Sequence, residues 1–244
     1  MKLFRGFRKD LIVKGKVKNY VFYAIGEILL VMIGILLALQ VNNWNQKRVH
    51  HKIEVKALTD LSNEFILNEK RILAKQNSRI LISPEIQTYI ESISKGTANY
   101  TSYKRFHSQP FMFGMTNPSN GVIDALISSG EISLITNDSL KYYLADWKNQ
   151  LENLYENEEI LWGAGLSFIG SSSSKIPNPS HEWKDWDGVK LEEASEDLIS
   201  NIEYRNNLIG FDGCNDIVIE ECAMVLDVLQ KISKLLKDEL DTLE

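Results

Sequence analysis

Few residue types in this 244-residue chain could do chemistry together. The four histidines are His50, His51, His107 and His181. His50 and His51 are adjacent and point about 100° apart on a helix, so they do not readily share a metal ion. Asp216 and Glu220 stand at i, i+4 on one helical face. Such a pair could hold a metal or serve as an acid pair, but a solvated acidic face is the commoner source of that spacing. Cys214 and Cys222 are eight positions apart, about 12 Å along a continuous helix and beyond disulfide reach. The preferred reading is two small buried residues; a bridge would need Cys214 to lie off the helix after Gly210 and Gly213. No phosphate-binding glycine loop, nucleophile elbow or HExxH zinc motif occurs. The expectation is a non-enzymatic protein without cofactor or metal.

One carboxylate stands out because of its setting. Tyr20–Val41 is apolar over roughly the 20 residues needed to cross a bilayer, and Glu27 lies about 10 Å into it. Gly34 falls at i+7 from Glu27, and Ala38 follows at i+4. Small residues let helices approach, and a polar side chain can hydrogen-bond across the contact. Glu27, Gly34 and Ala38 are therefore candidates for a helix–helix contact, with a second copy or another protein. The alternative is that Glu27 reaches back to the headgroups and Gly34 has no role.

The element that positions these residues is a transmembrane helix over residues 20–42. Tyr20 and Tyr23 at one end and Trp44 at the other suit the two membrane interfaces. The apolar stretch is too long for a signal peptide and lacks a cleavage site. Residues 1–20 hold seven Lys or Arg against Asp10, a net +6; the chain carries −6, so the other 224 residues carry −12. A basic head on an acidic body disfavours nucleic acid as the body's partner and suits an anionic bilayer surface. Fewer basic residues follow the span (Lys47, Arg48, Lys52, Lys56), so the N-terminus is expected in the cytoplasm and the body in the periplasm, with the span in a bacterial inner membrane. Residues 1–19, with Leu3, Phe4, Phe7 and Leu11 at helical spacing, form either an interfacial helix or a disordered basic tail.

The string from Tyr23 to Asn45, YAIGEILLVMIGILLALQVNNWN, resembles the signature of an uncharacterised family of Bacteroidota single-pass membrane proteins, domain of unknown function 6090. Weaker echoes are Ala125–Asn137 and Tyr204–Leu208. The resemblance implies an envelope protein with one span and a helical body. It implies no activity, cofactor or catalytic residue.

Residues 43–244 read as one helical domain. Ile53, Leu58, Leu61, Phe65 and Ile72 mark one side of a helix continuing from the span, with charges elsewhere. Ser83-Pro84 predicts a new helix start, and Gly96 its end. Asn117-Pro118-Ser119 predicts a short helix closed by Gly130. Asn137 or Asp138 caps a longer helix that can continue to Phe168, and the last runs from about Asn215 to Leu243. Aromatic residues gather in two connections, Tyr100, Tyr103, Phe106, Phe111 and Phe113 in one, Trp183 and Trp186 in the other. They either cap the bundle ends or, at Phe106, Phe111, Phe113, Trp183 and Trp186, form a surface for a partner or ligand. The expected fold is all-α, one N-terminal transmembrane helix running into a helical bundle. The expected role is an envelope interaction or scaffold module, with a small-ligand sensor as the alternative and a tethered hydrolase more remote. The expected partners are the bilayer and a protein partner or a homo-oligomer.

Overall fold

A computed structural model describes residues 17–108, 114–173, 176 and 191–243. Among these residues every regular element is helical, as the sequence predicts. The elements are α1 (Val17–Ser94), α2 (Tyr100–His107), α3 (Gly121–Ser129), a 3-10 turn (Glu131–Leu134), α4 (Asp138–Ser173), α5 (Leu191–Ser200) and α6 (Ile202–Leu243). The chain forms two compact units, residues 1–54 and residues 55–244. The first contains the apolar part of α1, which is long and apolar enough to cross a membrane. Most of its side chains are exposed, Leu30 at 73% and Ile28 at 66%.

The second unit has one continuous core. Leu58, Leu61, Phe65, Ile72 and Ile86 supply it from α1 at steps of three, four, seven and fourteen residues. Leu140, Leu144, Trp147, Leu151, Leu154 and Phe168 do so from α4, and Tyr204, Leu208, Phe211, Val218, Cys222 and Leu229 from α6. Helices α4 and α6 pack extensively along one another. Phe65 and Trp147 meet with ring centroids 5.0 Å apart.

Helix α2 lies within a segment that the sequence presents as a connection, and three helix boundaries also differ from the sequence reading, with tertiary contacts explaining each. Pro84 does not start a helix; it lies inside α1. Proline removes one donor from the ladder, but Arg79, Ile86, Tyr89 and Ile93 are all buried and hold the helical register across it. The Ser83 hydroxyl, the expected cap, instead donates to Asp216 Oδ1 on α6 at 3.5 Å. The short helix α3 begins at Gly121, because the preceding residues bond to α1 instead. Helix α6 begins at Ile202, well before Asn215, although Gly210 and Gly213 disfavour helix. The buried row Tyr204, Leu208, Phe211, Asn215 carries the helix through them. Cys214 and Cys222 thus share one helix and are both free thiols.

Other ends follow the sequence. Gly96, at φ +65°, ends the turn after α1, and Gly130, at φ +76°, closes α3. Asn137 caps α4, its Oδ1 accepting from the Leu140 amide at 3.0 Å.

Candidate functional site

Helix α1 presents a polar row at Glu64, Asn68, Arg71, Lys75 and Arg79, beside its apolar core residues. The four- and three-residue steps keep the row on one face. It lies against residues 114–120, a non-helical strap with Asn117 at φ +45°. Glu64 accepts from the Val122 amide (3.1 and 3.2 Å), the Ile123 amide (3.4 Å) and the Ser119 hydroxyl (2.8 Å). A carboxylate from another helix therefore caps α3, whose own Asn120 makes no side-chain cap bond. The Asn68 carboxamide donates to the Ser119 carbonyl and accepts from the Ser119 amide, both at 2.7 Å. Arg71 donates to the Asn117 carbonyl at 3.3 Å.

At the end of the row, Arg79 and Glu158 form a buried ion pair at 2.9 Å. Arg79 also donates to the Gly114 carbonyl at 3.2 Å. Glu158 accepts from the Thr116 amide (3.0 and 3.1 Å) and hydroxyl (3.1 Å). Arg79 Nε and Nη1 are buried without a partner among the described residues. Cys222 on α6 feels these charges. Burial raises its thiol to about 11, with Arg79 opposing the rise and Glu158 adding to it. At neutral pH it is a protonated, weakly nucleophilic thiol.

A second buried cluster joins α2 to α1 and α6. His107 Nε2 lies 2.9 Å from the Tyr204 hydroxyl, which donates to the Tyr89 hydroxyl at 3.1 Å. Tyr204 has one proton to give, so His107 donates from Nε2. Phe106 stacks on Tyr89 at 4.4 Å, and His107 stacks on Phe168 at 5.5 Å. Burial depresses His107 to about 3 and pushes the Tyr89, Tyr103 and Tyr204 hydroxyls well above the usual phenol range. The cluster is neutral near pH 7, and its hydroxyls fix packing through hydrogen bonds.

The structure separates the residues singled out by sequence. Glu27 is partly exposed, whereas Gly34 and Ala38 are fully open on the membrane part of α1. Trp44 is 65% exposed with the Arg48 guanidinium 5.6 Å over its ring, and Tyr23 is partly exposed. The side chain of Tyr20 lies outside the described residues, as do Phe111, Phe113, Trp183, Trp186, His181 and the segment 1–16. Phe106 does not form a surface for a partner or ligand. It is 2% exposed and belongs to the core, because residues 100–107 form a helix that folds onto Tyr89 and Phe168. Asp216 and Glu220 are both exposed. Among the described residues no three His, Cys, Asp or Glu side chains converge on a metal position.

Sequence reasoning missed the polar row because it assigned the charges of α1 to solvent. The available signal was register: Glu64, Asn68 and Arg79 alternate with Leu61, Phe65 and Ile72 on the core side. No family model, curated protein or solved structure matches the chain.

Proposed function

We propose that the chain is a single-pass envelope protein, of the kind the resembled family represents, whose helical body is a non-enzymatic interaction module. The basic bias before the span supports a cytoplasmic N-terminus and a periplasmic body. The observation that carries the reading is the outer face of α1. The adjacent pairs Ile66-Leu67, Leu73-Ala74 and Ile80-Leu81 recur every seven residues, and all six are exposed, Leu81 at 77%. Lys70 and Asn77 lie between them. A seven-residue apolar repeat is the period at which one helix packs along another. A solvent-facing helix ordinarily has no such second stripe. The partner is a second copy of this chain, since the same helix carries the open Gly34 and Ala38 pair upstream.

The test is site-specific photo-crosslinking of the full chain in intact membranes, with the crosslinker at Leu73 and, as control, at the exposed Lys95. A species of twice the monomer mass from Leu73 alone, lost in the double variant Ile66→Glu/Ile80→Glu, supports the reading. An adduct only to a different protein replaces the second copy with that partner. Absence of any adduct from Leu73 overturns the interaction role of this face.

A further inference from the structure

A cleft of about 200 Å³ opens between the end of α1 and the start of α6. Its apolar surface comes from Ile90, Ile93, Ile202, Leu208 and Ile209, and its polar edge from Arg205 and Asn206. Among the described residues no acidic side chain lines it. Arg205 is held in place: its Nε donates to the Ile199 carbonyl at 2.6 Å. Among the described residues its Nη1 and Nη2 have no protein partner, and neither does the Asn206 carboxamide. The floor is anchored in the core, Leu208 being 1% and Ile93 7% exposed. The preceding residues, Tyr89 and Tyr204, are joined by their hydroxyls inside the bundle, which fixes the spacing of the two walls.

We infer that this cleft binds a small aliphatic carboxylate. Two free guanidinium nitrogens in a fixed fork match the two oxygens of one carboxylate. The Asn206 amide can donate a further bond. The apolar walls accept a short hydrocarbon body and leave its charged end at the rim, the usual division of labour in small-ligand sites. The cationic edge, with no acid among the described lining residues, selects an anion over an alcohol of the same shape. The inference is independent of the outer face of α1, whose apolar pairs take no part in the cleft.

The test uses the full chain in lipid nanodiscs with isotope-labelled isoleucine methyl groups. Hexanoate is the probe, with acetate lacking the tail and hexanol lacking the charge. The expected result is saturable shifts of the Ile90, Ile93, Ile202 and Ile209 methyls with hexanoate, and binding weaker by about tenfold or more for both comparators. Asn206→Asp sets a negative charge at the rim while leaving the Arg205–Ile199 bond in place, and should weaken hexanoate by about tenfold. Arg205→Gln should do the same. Equal binding of hexanol and hexanoate, an unchanged affinity in Asn206→Asp, or no saturable shift up to about 10 mM hexanoate would each overturn the proposal.

Discussion

The body of this protein contains two buried polar clusters that solve the same problem by different means. At the strap, Arg79 and Glu158 keep opposite charges in the core and use them to hold main-chain groups of residues 114–116. At the His107 end, three polar rings remain neutral and bond to one another among aromatic neighbours. A charged pair can grip a segment with no regular structure, because each ion bonds a backbone group of the segment while it is held by its partner ion. A neutral chain of hydroxyls joins surfaces that are already helical. The first cluster should therefore be sensitive to the loss of a partner, and the second to protons.

The largest effect is expected from splitting the ion pair. Glu158→Ala strands Arg79 in the core and should cost about 3–5 kcal/mol in chemical denaturation. Arg79→Met/Glu158→Met should recover much of that loss; equal destabilisation of single and double variants would mean that the strap, not the charge, carries the stability.

The next effect distinguishes the second cluster. His107 has a folded value near 3 against an ordinary 6.5. Its contribution to stability is fully present above pH 6.5 and is lost as pH falls towards 3, by about 1.4 kcal/mol per pH unit. Denaturation at several pH values should show that slope in the wild type and a shallower one in His107→Phe. Identical slopes would remove His107 as the proton-sensitive group.

A smaller loss, about 1–2 kcal/mol, is expected for Glu64→Ala, which removes the carboxylate cap from α3. Hydrogen exchange should locate the change at the amides of Val122 and Ile123. The smallest effect has the opposite sign. Gly210 and Gly213 lie inside α6 with open space where a Cβ would stand. Gly210→Ala and Gly213→Ala should each stabilise by up to about 1 kcal/mol, read as a raised midpoint in the same denaturation experiment.

The sequence carries the helical class and the core rows because these depend on periodicity within each helix. Leu140, Leu144, Trp147, Leu151 and Leu154 announce α4 without reference to anything else. The contacts between helices are much less legible. Pro84 and the glycines of α6 are local break signals overruled by burial of their neighbours. Asn117-Pro118-Ser119 looks like a helix start in isolation, yet Asn68 and Arg71 engage that backbone from about 50 positions away. The candidate cleft was equally hidden. Ile90 and Arg205 become neighbours only through the packing of α1 on α6, and neither belongs to a spacing pattern that marks a site.

The polar row on α1 addresses the strap mainly through carbonyls and amides, which every amino acid supplies. Residues 114–123 can therefore drift in identity while their path stays fixed, whereas Glu64, Asn68 and Arg79 are held to one side-chain chemistry each. Among homologous chains, the template should change slowly and the segment laid upon it quickly, with glycine or asparagine retained at the left-handed position 117.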